Sequence, residues 1–291
     1  MRFPQIAPLV PFLEATRDIP IDDFVSIDGQ SVYVRESGSG PTLCLLHGFA
    51  STSGSFRELF DGLSGEFRLL GIDLNGFGKT QRPRHRDAYR LESQADLIAQ
   101  VLAAKQVDKA ILIGHSYGAA VTASLCERHP DLVSKVVLIS PPSHFGGKPP
   151  WYLRNWLGPQ IAYGAVRGLL SNPKRFKEVS GRAVHVEGIL TNELSERYRK
   201  SMLVEGFRDA FFGYAKALSS GSEKAIPYQS IIQQAMIISG HCDEIVTIED
   251  LKKVSSRIPS ARFESISECG HCPPEERPQE VIRLLRDFLT A

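Results

Sequence analysis

Three residues that lie far apart in the chain have the types needed for nucleophilic catalysis by a serine. Ser116 lies in the sequence Gly114-His115-Ser116-Tyr117-Gly118, and Asp243 and His271 follow it in that order. A serine hydroxyl is a weak nucleophile until a base takes its proton, and a histidine base needs a carboxylate that fixes its tautomer. These residue types therefore predict acyl transfer through a covalent intermediate on Ser116.

The surroundings of Ser116 favour this chemistry over a plain glycine-rich turn. The apolar run Ala110–Ile113 predicts a buried strand, and a helix should follow the serine and end before Pro130. A nucleophile in a sharp strand-to-helix turn projects above the sheet, and the turn is too crowded for side chains on its flanks. Gly114 and Gly118 meet that steric requirement.

The acid and the base come from the last third of the chain. Asp243 lies 28 residues before His271, which leaves room for one helix and one strand. We prefer Asp243 over its neighbour Glu244, which should point away. An acid after an earlier strand is excluded, because that place reads Ser140-Pro141-Pro142. Three other histidines are less suitable as the base: His85, His129 and His185.

An acyl-transfer site also needs donors for the developing oxyanion. The sequence His47-Gly48-Phe49 follows the predicted strand Thr42–Leu46. We expect the backbone N–H groups of Phe49 and Tyr117 to be the two donors. Four side chains are candidates for contacts with the substrate: His47, His115, Trp151 and Trp156.

Short apolar runs alternate with helical patterns along most of the chain. This alternation predicts an α/β fold, with a mostly parallel sheet and helices on both of its faces. Asp28-Gly29 predicts a hairpin turn between the first two strands. The predicted strands are Phe24–Ile27, Val32–Glu36, Thr42–Leu46, Arg68–Asp73, Ala110–Gly114, Val136–Ser140, Met236–Ser239 and Arg262–Ile266. The clearest helical segments are 91–102, 116–128, 248–256 and 278–289.

The alternation stops between residues 145 and 228. This segment reads as helical and is rich in aromatic residues, so we interpret it as a cap, or lid, inserted into one core domain made of residues 23–144 and 229–291. Such a cap would cover the carboxyl ends of the strands, where ligands bind in open α/β sheets. Residues 1–22 form a proline-punctuated N-terminal arm without a catalytic signal.

The composition excludes several other classes of protein. The 291 residues carry a net charge of +1, with 42% apolar and 23% charged residues. These values are ordinary for a globular protein and lack the basic excess of a nucleic-acid binder. No stretch resembles the roughly 20 apolar residues of a membrane span, and prolines interrupt any N-terminal signal-peptide pattern.

The cysteines predict neither a disulfide framework nor a metal. Their number is five, an odd count that favours reduced thiols and a cytoplasmic location. Cys269 and Cys272 flank His271, and Cys242 lies beside Asp243, but a zinc site would need a second pair of ligands at suitable spacing. A redox switch at these loops is conceivable, with proximity as its only support. We therefore expect no metal and no cofactor, a small-molecule substrate, and a monomer or a homodimer.

These motifs together resemble the α/β-hydrolase fold superfamily, in particular its lidded serine hydrolase and esterase branch. The resemblance covers nearly the whole chain and includes the segments at 47–49 and 114–118. Asp73–Gly78 is similar to the family's Asp-x-x-Gly-x-Gly turn, with Asn75 in place of a frequent arginine, and we interpret this difference as structural. His271-Cys272-Pro273, followed by Glu276 and Pro278, is similar to its C-terminal histidine segment.

The resemblance implies a serine hydrolase that needs no cofactor. Carboxylic esters are the first expectation, followed by lactones and thioesters. Epoxide hydrolases and haloalkane dehalogenases of this fold use an aspartate nucleophile, which Ser116 argues against. Carbon–carbon bond hydrolysis stays open, although Phe49-Ala50-Ser51 departs from the oxyanion turn of those enzymes. A cofactor-free lyase or cyclase, a perhydrolase and a small-molecule sensor with slow turnover also stay open.

Overall fold

One eight-stranded sheet carries the fold. The computed structural model describes residues 7–144, 158–219, 226–258 and 260–290. The strands lie in the order β1-β2-β4-β3-β5-β6-β7-β8. From β4 onward the pairs are parallel, while β2 is antiparallel to both β1 and β4. The predicted α/β fold with a mostly parallel sheet is confirmed.

The strands coincide closely with the apolar runs of the sequence. Every residue of β5 is buried, as expected for a strand that is covered on both faces. The strands are β1 (Phe24–Ile27), β2 (Gln30–Ser37), β3 (Thr42–Leu46), β4 (Arg68–Ile72), β5 (Ala110–His115), β6 (Val133–Ile139), β7 (Gln234–Gly240) and β8 (Arg262–Ile266).

The first hairpin forms at the predicted turn. Asp28 and Gly29 both have positive φ angles, 48° and 80°, which is the backbone that a two-residue type I′ turn requires. This turn sets the register of β1 against β2, so that Ile27 pairs with Gln30.

Helices cover both faces of the sheet, and two apolar clusters form between the layers. One cluster joins α3 and α4 to one face, and the other joins α2 and α11 to the opposite face. The helices are α1 (Phe12–Thr16), α2 (Arg57–Leu63), α3 (Leu91–Ala104), α4 (Tyr117–Arg128), α5 (Gly158–Leu170), α6 (Pro173–Ser180), α7 (Asn192–Ser201), α8 (Phe207–Ser219), α9 (Ile248–Ser255), α10 (Pro273–Glu276) and α11 (Pro278–Leu289).

Among the described residues between β6 and β7 are four helices, α5 to α8, called the helical insertion below. They share a small apolar cluster of their own, which includes Leu170, Phe176 and Phe207. The N-terminal arm packs on this group, because the backbone N–H of Val10 donates to the carbonyl of Leu203 at 2.8 Å. Trp151 and Trp156 lie outside the described residues. In the part of the chain that the structure covers, no helix is long and apolar enough to cross a membrane.

Candidate active site

Ser116 lies at a sharp turn between β5 and α4. Its φ of 49° and ψ of −114° place it in a backbone region that side chains rarely adopt. The turn is closely packed: a Cβ on Gly114 would lie 2.5 Å from the carbonyl oxygen of Gly118, and one on Gly118 would lie 2.0 Å from that of Leu46. Residues with a side chain could not replace either glycine without moving backbone, as the sequence predicted.

Ser116, His271 and Asp243 form one hydrogen-bonded chain, called the Ser–His–Asp chain below. Nε2 of His271 lies 2.9 Å from the hydroxyl of Ser116, and Nδ1 lies 2.9 Å from a carboxylate oxygen of Asp243. A carboxylate only accepts, so Nδ1 carries the proton and Nε2 accepts from the serine. The structure brings together three residues that the sequence places in separate regions.

The Asp243 carboxylate is held in its ionised form. Burial alone would raise the pKa of this group, but the hydrogen bond from His271 and two backbone N–H donors lower it below its usual value. Those donors belong to Ile245 and Val246, at 2.8 and 2.9 Å. Glu244 is exposed to solvent. The geometry thus supports the choice of Asp243 over its neighbour.

Glu276 organises the loop around His271, and sequence reasoning did not assign it this role. Its buried carboxylate accepts the N–H groups of Gly270 and Cys272, both at 3.0 Å, on either side of the histidine. It also accepts the N–H groups of His185 and Val186, at 2.7 and 2.9 Å. Its match to the histidine segment was visible in the sequence, but its partners were not.

The turn at His47-Gly48-Phe49 lies directly beside the serine. A Cβ on Gly48 would lie only 3.3 Å from the Cβ of Ser116. Tyr117 is the first residue of α4, so its N–H lies at the positive end of the helix. Both N–H groups proposed as oxyanion donors therefore belong to segments that border Ser116.

His47 is a poor candidate for a substrate contact. Its ring has no exposed surface. Nδ1 lies 2.8 Å from the carbonyl of Gly48, and Nε2 accepts the N–H of Leu74 at 3.0 Å. Both ring nitrogens therefore have backbone partners, Nδ1 within the turn itself and Nε2 in the loop after β4, which indicates a structural role instead of the expected one.

His115 packs beneath His271 and is also largely buried. Its Nε2 donates to the backbone carbonyl of His271 at 2.7 Å. Desolvation, followed by the nearby charge of His271, lowers the pKa of His115 to about 3, so the ring stays neutral. This contact supports the backbone of His271, whereas the sequence prediction placed His115 against the substrate.

Aromatic rings connect the turn at residues 47–49 to α8. The Phe49 side chain remains 47% exposed, while its ring lies 5.1 Å from that of Tyr214. Tyr214 also lies 5.2 Å from Phe77 and 5.6 Å from Tyr117. Tyr214 therefore joins the helical insertion to the two segments that border Ser116, a contact that the sequence did not predict.

The Asp73–Gly78 turn is held by its own polar side chains, and its Leu74 donates a backbone N–H to His47. The Asp73 carboxylate accepts the N–H groups of Ser53 and Lys79, at 2.7 and 2.8 Å. The side chain of Asn75 contacts Gln30 and the carbonyl of Ala88. The interpretation of Asn75 as structural agrees with these contacts.

A cavity of about 920 Å³ lies away from the Ser–His–Asp chain, between the N-terminal arm, the Asp73–Gly78 turn and α7. None of the three residues of that chain lines it. The candidate active site is therefore located from its hydrogen bonds and not from this cavity.

Comparison with known proteins gives consistent matches. Residues 41–278 match the family model of the alpha/beta hydrolase fold. The uncharacterized hydrolase YugF of Bacillus subtilis is 28% identical, over 93% of this chain and 98% of its own length. A 2-hydroxy-6-oxo-2,4-heptadienoate hydrolase of Pseudomonas putida is 26% identical, over 93% and 97%.

A solved structure shows the same fold at lower identity. The esterase of Exiguobacterium antarcticum superimposes with a TM-score of 0.76 at 19% identity, covering 92% of this chain and 99% of its own. The family model spans most of the chain, and the solved structure shares its fold. The chain belongs to the alpha/beta hydrolase fold family.

Proposed function

We propose that this hydrolase cleaves a carboxylic ester, or a related lactone or thioester, through an acyl-enzyme on Ser116. The observation that carries the proposal is the Ser–His–Asp chain, with both hydrogen bonds at 2.9 Å. The serine sits at a strained turn beside a helix N-terminus, where a nucleophile and an oxyanion site can be adjacent.

The proposed reaction uses the two hydrogen bonds in turn. Nε2 of His271 takes the hydroxyl proton while Ser116 Oγ attacks the carbonyl carbon, and Asp243 stabilises the imidazolium that forms. The tetrahedral intermediate collapses, and the leaving alcohol takes the proton from Nε2. Water, activated by the same nitrogen, then hydrolyses the acyl-enzyme and restores Ser116.

The oxyanion donors and the cap are part of the same proposal. The N–H groups of Phe49 and Tyr117 would hold the oxyanion. The insertion between β6 and β7, which carries α5 to α8, would act as a cap, supported by the contact of Tyr214 with the Phe49 ring. The half-exposed Phe49 side chain would then face an apolar part of the substrate.

Reduced thiols support the expected cytoplasmic location. All five cysteines are free. Disulfides are rare in reducing compartments, so five free thiols agree with such a location. Size-exclusion chromatography with light scattering would decide between the expected monomer and homodimer.

Carbon–carbon bond hydrolysis is the second candidate function. The observation that favours it is the Pseudomonas putida relative, whose named substrate is a 2-hydroxy-6-oxo dienoate without an ester group. The Ser–His–Asp chain could serve either reaction. The choice depends on the substrate that the pocket accepts.

Initial rates on p-nitrophenyl esters of increasing acyl length test the proposal. The Ser116→Ala variant should lose activity by several orders of magnitude, because the nucleophile is gone. Ser134→Ala is the matched control, since Ser134 lies at the start of β6, at the opposite end of the sheet from the site.

The two candidate functions give different results in the same assay. An ester profile with full dependence on Ser116 supports the ester proposal. Turnover of 2-hydroxy-6-oxo-2,4-heptadienoate at a higher kcat/KM than any ester would instead support carbon–carbon cleavage. Full ester activity in Ser116→Ala would contradict both.

A further inference from the structure

Three side chains with metal-ligating atoms meet beside the candidate active site. His185 comes from the segment between α6 and α7, Cys242 follows β7, and Glu268 follows β8. A ring nitrogen of His185, the sulfur of Cys242 and a carboxylate oxygen of Glu268 all lie within 4.8 Å of one another. None of the three belongs to the Ser–His–Asp chain.

The spacing and the accessibility of these atoms suit a small cation. Nε2 of His185 lies 3.4 Å from Oε2 of Glu268. Tetrahedral zinc, with bonds of about 2.0–2.3 Å, places neighbouring ligand atoms roughly 3.3–3.7 Å apart. The His185 and Glu268 side chains are 41% and 76% exposed, so they can rotate the short distance that closure around an ion requires.

The chemistry of the donors selects a class of metal. A thiolate and an imidazole are the ligands of zinc and of the other late divalent transition metals, whereas magnesium and calcium prefer oxygen alone. A plain ion pair between His185 and Glu268 would not need the cysteine sulfur. The presence of Cys242 at the same point is the feature that distinguishes a metal site from an ion pair.

We propose that His185, Cys242 and Glu268 bind a zinc-like divalent cation, with a fourth coordination position open to solvent. Binding releases the thiol proton of Cys242 to solvent, since the thiolate is the ligand. The expectation from the sequence that the chain binds no metal considered Cys242 together with Cys269 and Cys272, and found no further ligands at a suitable spacing. The three residues proposed here lie too far apart in the sequence for their spacing to indicate a site.

A cation at this point would join three loops that hold the candidate active site. Cys242 is adjacent to Asp243, and Glu268 lies shortly before His271 in the same loop. His185 also donates its backbone N–H to Glu276, which fixes the residues that flank His271. Metal binding would therefore tie the helical insertion to both loops that supply the acid and the base.

Cobalt(II) titration of the full chain tests the proposal directly. A thiolate bound to cobalt gives a charge-transfer band in the near ultraviolet. The band should appear in the wild type and disappear in Cys242→Ser. Cys272→Ser is the matched control, because Cys272 is partly exposed like Cys242. This variant should keep the band, since Cys272 is not one of the proposed ligands.

Zinc affinity, measured by calorimetry on the same proteins, tests the other two ligands. His185→Gln and Glu268→Gln should each weaken binding at least tenfold. His144→Gln should bind as the wild type does, because His144 is an exposed histidine that pairs with Asp250 elsewhere. Equal zinc affinity in the wild type and Cys242→Ser, or a band that survives that substitution, would overturn the proposal. Neither assay depends on turnover, so failure of the proposed ester activity would leave the result interpretable.

Discussion

The carboxylate of Glu276 holds His271 without touching its ring. It accepts the backbone N–H groups of the residues on both sides of the histidine, each at 3.0 Å. Two further N–H groups, from His185 and Val186, reach the same carboxylate. One buried acid therefore positions the base of the proposed reaction and connects it to the helical insertion.

Glu276→Gln should lower kcat more than it changes KM. An amide presents an N–H where the carboxylate accepts, so at least one backbone donor loses its partner and the His271 loop shifts. A shift of about 1 Å at a catalytic group can cost about 100-fold in rate, and we expect a loss of about 10- to 100-fold. Steady-state kinetics on the preferred ester would measure it.

The control for this substitution is Glu280→Gln, because Glu280 lies exposed in the first turn of α11. The role of Glu276 would be merely structural if the Glu276→Gln variant lost stability but kept its kcat. Chemical unfolding separates the two effects, since one unsatisfied buried N–H costs about 1–3 kcal/mol.

Asp243→Asn should remove most of the activity, whereas Glu244→Gln should leave it nearly unchanged. The asparagine amide can donate to Nδ1 of His271, which favours the tautomer that cannot accept the Ser116 proton. In serine proteases the same change costs about 10⁴-fold in kcat, and we expect a loss of about 10³- to 10⁴-fold here. Comparable losses in both variants would contradict the assignment of Asp243 as the acid.

Gly114→Ala should destabilise the protein strongly. The new methyl group would lie 2.5 Å from the carbonyl oxygen of Gly118 and 2.7 Å from the Cα of Ala119, so backbone would have to move. Overpacking of this kind costs typically 1–3 kcal/mol, and we expect about 3 kcal/mol or a loss of soluble protein.

Gly164→Ala is the matched control for that substitution. Gly164 lies in α5, and a methyl group added there would have no atom from outside its own helix within 4 Å, so alanine should stabilise the helix by about 0.5–1 kcal/mol. Urea unfolding measures both variants. A Gly114→Ala protein within about 0.5 kcal/mol of the wild type would show that the turn at Ser116 tolerates a side chain.

Glu275→Gln should stabilise the protein at alkaline pH. Desolvation by burial and the neighbouring charge of Glu276 raise the pKa of Glu275 to about 7, while the hydrogen bond from Tyr198 acts in the opposite direction. Arg197 and Arg57 also face this group and partly offset the effect.

The direction of the pH dependence follows from that raised pKa. Between the ordinary pKa of about 4.5 and about 7 the folded chain binds the proton more tightly than the unfolded chain, so stability falls as the pH rises. Glutamine cannot ionise. The free energy of unfolding of the variant, relative to that of the wild type, should therefore rise across this range and level off above it, at no more than ~3 kcal/mol.

Thermal unfolding at pH 5, 7 and 8.5 would follow the effect of Glu275→Gln. Glu127→Gln, at an exposed position on α4, is the control and should show no such trend. A difference between Glu275→Gln and the wild type that is the same at all three pH values would show that Glu275 does not titrate in this range.

Local sequence patterns were sufficient to predict the strands and helices of the core. β1, β3 and β8 and helix α11 begin and end where the sequence pattern places them. Strands that are buried on both faces require unbroken apolar runs, and a crowded turn requires glycine, so both leave a direct mark on the sequence.

Side chains whose partners are distant in the sequence could not be interpreted in this way. His47 was expected to contact the substrate, but its ring is buried between two backbone segments. Tyr214 lies in the insertion, which the sequence shows only to be rich in aromatic residues. Its position against Phe49 and Tyr117 depends on how α8 packs on the core.

The amino-acid sequence by itself determined the fold family, the sharp turn at Ser116 and the order of the proposed nucleophile, acid and base. These features follow from local hydrophobic periodicity and from steric demands within a few residues. Only the tertiary structure decided which groups surround that chemistry: Glu276 on the His271 loop, and the cluster of His185, Cys242 and Glu268. Such contacts form when the strands assemble into the sheet and the insertion packs on it, and no short-range pattern encodes them.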